Sequence, residues 1–237
     1  MPRPRSRVRY NPGASSGLSP TRLAARPVPT VDPWTAGEMF ISPHVEERRR
    51  GLALLCGAEA VRKSSLTLHL LASRLDEPDL GLRAQIVHAL ADYFEIRERE
   101  YRYPPEVRGL VAGHLRNFDR PQVVALLELH QAAEVGRVAL RADSLPRLTE
   151  RIPNASSLLT HIAGDRGQPL PLRRSALALI GQVGFTDASA VLEGLLLRLE
   201  GRRAGQMPMG FAPSDWPEDQ ALLPALRETL VTLAADE

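Results

Sequence analysis

The stretch DEPDLGLRAQIVHALADYFE, residues 76–95, begins with a turn-forming segment around Pro78 and then places apolar residues at helical spacing. Proline is tolerated at the start of a helix and is excluded from its interior. Counted from Arg83, the residues three, four, seven and ten positions later are Ile86, Val87, Leu90 and Tyr93. Those offsets lie on one face of an α-helix. The stretch therefore predicts an amphipathic helix that begins just after Pro78.

The same arrangement returns around Arg108 and Arg173. An apolar residue precedes each arginine, and a proline lies a few positions upstream, at Pro105 and Pro169. The apolar residues at the four equivalent offsets are Val111, Ala112, Leu115 and Phe118 in one copy and Ala176, Leu177, Ile180 and Val183 in the other. Because the copies share a start signal, an arginine and an apolar face, they indicate a repeating structural unit.

The two later copies continue into a second helical stretch that begins at Asp119 or Asp187. Together, PEVRGLVAGHLRNFDRPQVVALLEL (105–129) and LPLRRSALALIGQVGFTDASAVLEGLLLRLEG (170–201) resemble HEAT repeats, including the bacterial variant first noted in phycobilin lyases. The resemblance implies an α-solenoid in which the shared arginine ties neighbouring repeats together. Carried over by position, that inter-repeat structural role belongs to Arg83, Arg108 and Arg173. Their spacings of 25 and 65 residues are irregular for repeats of about 40.

The predicted fold class is all-α. Aromatic residues make up only 5% of the chain, and strands are enriched in aromatic and β-branched residues. A lone helical hairpin cannot bury its apolar face, so hairpins stack. We expect a HEAT-like α-solenoid of about four to five antiparallel helix pairs, with nine to eleven helices, over residues 41–237. A loop insertion is predicted at about 201–216, followed by a last helix at about 217–235.

Residues 1–40 are predicted to be a basic, Pro/Arg-rich disordered arm and a transition into the helical domain. Residues 1–30 hold six arginines and no acidic residue, which leaves 24 basic and 28 acidic residues, a net charge of −4, in 31–237. Such an arm attracts RNA, DNA or an anionic membrane surface. The candidate polyanion-binding residues are Arg3, Arg5, Arg7 and Arg9. The alternatives are a solubilising tail and a mitochondrial address, although six prolines argue against the helix that such an address needs.

The sequence favours a cytoplasmic protein. Cys56 is the only cysteine, so no internal disulfide can form. No apolar run reaches the roughly 18 residues that span a bilayer, and no apolar segment follows the basic start as in a secretory signal.

No catalytic, cofactor-binding or metal-binding residue is predicted. Gly57–Ser64 has the length and final Lys-Ser pair of a phosphate-binding loop, but Arg62 stands where that loop needs its second glycine. The alternative interpretation of this segment is a helix–turn–helix within the first repeat. No two of the six histidines are three or four residues apart, so no helix presents a two-histidine metal face.

Two charged segments have both a functional and a structural interpretation. Residues 46–50, EERRR, form either an anion-binding patch or, as we favour, a solvated helix face. Residues 95–103, EIREREYRY, interleave arginines with tyrosines, as surfaces that bind single-stranded nucleic acid do. The glutamates of this segment cancel the positive charge of its arginines. A polar repeat junction is the better interpretation.

These features predict a non-catalytic scaffold that binds a protein partner on a solenoid surface and anionic partners through the arm. The alternative is a nucleic-acid-binding HEAT-like protein, for RNA or DNA. A lyase similar to phycobilin-attachment proteins ranks third, because a shared repeat type does not carry function. The sequence makes no prediction about oligomeric state.

Overall fold

A computed structural model describes residues 32–57, 59–62, 64–94, 96–97, 100–101, 105–203 and 217–235, all within one structural unit that starts at Val31. The predicted disordered arm at 1–30, with Arg3, Arg5, Arg7 and Arg9, lies outside the described residues. So does all of the predicted insertion beyond residue 203.

The described residues are all-α, as predicted, apart from one very short hairpin. The helices are α1 Pro33–Phe40, α2 Val45–Gly57, α3 Glu59–Arg62, α4 Ser65–Ala72, α5 Leu80–Phe94, α6 Pro105–Leu115, α7 Arg120–Glu134, α8 Ser144–Glu150, α9 Ala155–Gly164, α10 Leu170–Val183, α11 Ser189–Arg203 and α12 Pro217–Ala235. Strands β1 (Ile96–Arg97) and β2 (Glu100–Tyr101) pair antiparallel within the predicted polar junction. Since α3 is a single turn, these ranges hold eleven longer helices.

Local signals explain where the helices begin and end. Asp79 precedes α5, and its Oδ1 accepts a hydrogen bond of 2.9 Å from the Leu82 N–H, which satisfies a donor in the first turn. Past the C-terminal ends of α7 and α10, Gly136 and Gly184 have φ values of 71° and 76°, the left-handed conformation that stops a helix. Residues 135–143 are not helical, and α8 begins at Ser144.

Helices that are close in the chain pack together. Helix α2 packs on α1 and α5, α5 packs on α7 and α8, α10 packs on α7, α8 and α9, and α12 packs on α10 and α11. Helix α6 packs on α4. One cluster of buried apolar side chains runs from Ala36 in α1 to Leu233 in α12, so all of these contacts share a continuous core. Within the described ranges, every helix is too short or too polar to cross a lipid bilayer.

Helix α1 forms in the segment that the sequence marked as a transition, and it is held tightly against α2. Phe40 is fully buried, whereas Trp34 and Ile41 are exposed. The two backbones approach at Gly51 of α2, where a Cβ atom would lie 2.4 Å from the Phe40 nitrogen and 2.8 Å from the Ala36 oxygen. Only a residue without a side chain fits this crossing.

Replacing Gly51 with alanine is therefore expected to destabilise the protein by about 1–3 kcal/mol, the usual range for overpacking. Urea unfolding followed by circular dichroism measures the change. The matched control is Gly194→Ala in α11, where nothing lies within 4 Å of the added Cβ. That control should be neutral or stabilising by up to about 1 kcal/mol, because alanine favours helix more than glycine does. Equal effects of the two substitutions would contradict the close crossing of α1 and α2.

Candidate functional site

Arg173 of α10 is buried, and it joins three segments of the chain. Its Nε donates to the Ala163 carbonyl at 2.9 Å, and its Nη2 donates to Asp219 Oδ1 at 3.1 Å. Asp219 lies in the first turn of α12 and also accepts a hydrogen bond of 2.5 Å from Arg166. The Arg173 side chain is only 1% exposed, so its charge depends on these partners in place of water.

Arg83 of α5 makes a closely similar set of contacts. Its Nε donates to the Glu77 carbonyl at 2.6 Å, and its Nη1 donates to the Ala125 carbonyl at 2.6 Å and to Glu128 at 3.1 Å. Glu77 lies just before α5, whereas Ala125 and Glu128 belong to α7. Arg83 thus connects its own helix start to a helix further along the chain, as Arg173 does.

Arg48 of α2 follows the same rule, although the sequence analysis placed it on a solvated face. The Arg48 side chain is buried. Its Nη1 donates to the carbonyls of Ser42 at 3.1 Å and Pro43 at 2.8 Å, and its Nη2 donates to Glu77 Oε1 at 2.8 Å. That part of the interpretation of residues 46–50 was wrong, because one arginine of the run faces inward between α2 and the start of α5. Arg49 and Arg50 are exposed as expected.

We call the contacts of Arg48, Arg83 and Arg173 the buried-arginine bridges. In each one, a guanidinium donates to a carbonyl that precedes its own helix in the chain and to a carboxylate that follows it. The third arginine of the predicted set, Arg108, lies on α6, and its side chain is outside the described part of the structure. Helix α6 packs on α4, and the inter-repeat role of Arg108 stays a prediction.

The helices that these bridges position enclose a groove in the C-terminal half. It consists of two adjoining depressions of about 590 and 360 Å³ that share Glu134 and Gln182. The first lies between the end of α7 and residues 140–147, and the second lies between α10 and α12. At the floor, the His130 ring is buried, with its Nε2 3.4 Å from the Gln182 amide nitrogen and its Nδ1 3.7 Å from Glu134 Oε2.

The charged side chains of the groove are balanced in number but not in availability. Arginines and acidic residues are equally represented, in the set Glu134, Arg141, Asp143, Arg147, Arg174 and Glu228. Arg141 pairs with Asp92 at 2.8 Å, and Arg147 pairs with Asp143 at 2.8 Å. Glu228 has no ion pair with any described residue, and Glu134 meets only the His130 ring. Arg174 has no carboxylate partner among the described residues, and its Nη2 donates to the Ala221 carbonyl at 2.7 Å. Two carboxylates and one guanidinium of the groove therefore lack an ion pair with an arginine or a carboxylate, which leaves negative charge in excess.

His88 of α5 fixes the loop at one end of this groove. Its Nε2 accepts a hydrogen bond of 2.9 Å from the backbone N–H of Arg141. Burial lowers the pKa of His88, and the nearby Arg141 guanidinium lowers it further, against the opposing effect of Asp92 and Asp143. The neutral ring that results is the form able to accept this bond.

The segment that resembled a phosphate-binding loop has helices on both sides. It begins at Gly57, the last residue of α2, and ends at Ser64, whose Oγ accepts a hydrogen bond from the Thr67 N–H at the start of α4. A phosphate-binding loop follows a strand. Burial raises the pKa of the adjacent Cys56 thiol, so the reactive thiolate is disfavoured there.

The fold brings two histidines together that the sequence spacing had kept apart. His69 on α4 and His114 on α6 lie side by side, with His69 Nδ1 2.9 Å from His114 Nε2. A spacing of three or four residues identifies pairs on a single helix, whereas this pair joins two helices. No group of three potential metal ligands from His, Cys, Asp and Glu occurs among the described residues.

No protein-family model matches this chain, and no curated protein or solved structure matches it either.

Replacing Asp219 with asparagine should leave the buried Arg173 guanidinium without its counter-charge. We expect a loss of about 3 kcal/mol or more in the free energy of unfolding, as when one partner of a buried ion pair is removed. Urea denaturation is the measurement. The control is Glu200→Gln, which removes the same charge from the exposed pair with Arg227 at 2.6 Å. That substitution should cost less than about 1 kcal/mol. Similar losses for the two variants would mean that the bridge does not hold α10 to α12.

Proposed function

We propose that this protein is a HEAT-like α-solenoid of about four to five helix pairs and acts as a non-catalytic scaffold. Three features support the solenoid: packing between helices that are close in the chain, one continuous apolar core, and buried-arginine bridges that join successive segments. Under this proposal, Arg83 and Arg173 have the inter-repeat role that the sequence resemblance implied. Arg48 takes the same role in the first unit.

The groove over α7, α8, α10 and α12 is the surface that we assign to the partner. A largely apolar lining, from residues such as Leu140, Leu145 and Ala178, suits burial of a peptide segment. The observation that carries the proposal is the pairing of charges: Arg141 and Arg147 are already neutralised, while Glu134 and Glu228 are not. These two carboxylates outnumber Arg174, the one groove arginine without a carboxylate partner among the described residues. The expected ligand is a segment of a protein partner that combines apolar side chains with lysine or arginine.

The same pairing argues against nucleic acid in this groove. Binding to phosphates needs unpaired cations, because affinity arises from the release of counterions as basic side chains neutralise the backbone. Residues 31–237 also carry a net charge of −4. The groove offers one arginine without a carboxylate partner in the described structure, Arg174, whereas residues 1–30 hold six arginines and no acidic residue. We therefore assign anionic partners to the arm, with Arg3, Arg5, Arg7 and Arg9, and the protein segment to the groove.

Peptides selected from a random library against the full-length protein are expected to be enriched in lysine or arginine beside apolar residues. Changing Glu134 and Glu228 together to arginine should weaken their binding about tenfold or more, because both open carboxylates become repulsive. Fluorescence anisotropy with a selected peptide measures the dissociation constant. The control reverses Glu106 and Glu193, which are exposed and lie outside the groove. Peptides without basic residues, or equal weakening by the control, would contradict the assignment.

The arm is tested separately on a heparin column with the full-length chain. Replacing Arg3, Arg5, Arg7 and Arg9 with serine should lower the salt concentration at elution, since fewer cations contact the polyanion. The control removes the same number of charges from exposed body positions, with serine at Arg50, Arg116, Arg137 and Arg198. Stronger retention loss in the control than in the arm variant would favour the alternative, a body that itself binds nucleic acid.

A further inference from the structure

His69 and His114 lie in the last turns of α4 and α6, two helices that pack directly on each other. Their ring centroids are 4.8 Å apart with an angle of 60° between the ring planes, and His69 Nδ1 faces His114 Nε2 at 2.9 Å. The His69 side chain is exposed, and that of His114 is half-buried. Two imidazole nitrogens therefore meet at a solvent-accessible point between two helices.

The separation of the two nitrogens matches a pair of neighbouring ligands on one metal ion. Two metal–nitrogen bonds of ~2.05 Å at a right angle place the nitrogens about 2.9 Å apart, whereas a tetrahedral angle places them about 3.3 Å apart. Right angles are the geometry of square-planar and octahedral ions, and imidazole is a preferred ligand of Cu²⁺ and Ni²⁺. Without a metal, one of the two facing nitrogens donates a hydrogen bond to the other. A metal ion would replace that bond, because each neutral ring has one proton for its two nitrogens and can hold it on the nitrogen facing away.

The surroundings of the two rings leave room for other ligands. A depression of about 170 Å³ adjoins His114 and is lined by oxygen-bearing side chains, those of Ser73, Asp76, Asn117 and Gln122. Since one water molecule occupies roughly 30 Å³ in the liquid, this space holds several waters next to the ring.

We propose that His69 and His114 form a two-imidazole site for a divalent transition-metal ion, Cu²⁺ or Ni²⁺ in preference to Zn²⁺, with water at the remaining positions. The protein supplies two ligands, in agreement with the absence of any three-ligand cluster from the described residues. An ion bound there joins the last turn of α4 to the last turn of α6. The site does not depend on the proposed scaffold function, because no residue that lines the groove lies on either helix.

The test uses the full-length protein without a polyhistidine tag and with NiCl₂ as the probe. Calorimetry at pH 7.5 should show one strong site, and thermal unfolding should move to higher temperature with Ni²⁺, because the ion binds the native state preferentially. His69→Gln and His114→Gln should each weaken Ni²⁺ binding more than about tenfold. Loss of an outer-shell partner alone costs roughly tenfold in metal affinity, and these substitutions remove a direct ligand. The matched control is His161→Gln, an exposed histidine on α9, which should bind Ni²⁺ as the wild type does.

A spectroscopic measurement separates the proposed pair from weak binding elsewhere. With one equivalent of Cu²⁺, electron paramagnetic resonance should show coupling to two nitrogens in the wild type and to one in the His69→Gln variant. His69 is exposed, so this variant should fold, and unchanged circular dichroism in chelator verifies it. Ni²⁺ binding that survives both substitutions, or wild-type protein that neither binds Ni²⁺ nor gains thermal stability from it, would overturn the proposal. Equal weakening by His161→Gln would overturn it as well.

Discussion

A guanidinium group stays charged when it is buried, and this constraint determines how the segments of the protein are arranged. Moving such a group out of water costs several kcal/mol unless its N–H groups find acceptors. Arg173 meets most of that need with one carbonyl from the end of α9 and one carboxylate from the start of α12, while its Nη1 has no acceptor among the described residues. Neither acceptor can move far without leaving a buried donor unsatisfied. The apolar core holds the helices together, but it is non-directional, and the buried arginines specify which atoms meet.

The groove depends on the same contacts. Helices α10 and α12 form its second depression, and Asp219 ties the first turn of α12 to Arg173. Within the groove, Thr229 Oγ1 donates to the Leu177 carbonyl at 3.1 Å, which links α12 to α10. At the other end, His88 of α5 holds the backbone of Arg141. The surface assigned to a partner is therefore supported by polar contacts at both ends, which limits the rearrangement that binding would require.

The sequence predicted the all-α class and the helices around Arg83 and Arg173, because proline starts and apolar faces are local signals. It missed Arg48, although Pro43 stands upstream and Leu52 and Leu55 follow at the same offsets as in the later copies. The charged residues beside Arg48, at positions 46–50, favoured a solvent-exposed helix face and made that match hard to recognise. The groove and the pair of His69 and His114 were not predictable from spacing, because each joins helices that are far apart in the chain. Their formation depends on packing, which a single-helix pattern does not contain.

Glu77 takes part in two of the bridges at once. Its carboxylate accepts from Arg48, and its backbone carbonyl accepts from Arg83. Repeat proteins are commonly shortened or extended by whole units, since each unit contacts only its neighbours. A cut before Glu77 would separate its carboxylate from Arg48, and a cut after Glu77 would separate its carbonyl from Arg83. This junction is thus a poor place to divide the chain into fragments, and α1 to α5 form the smallest N-terminal piece that keeps Glu77 with both of its arginines.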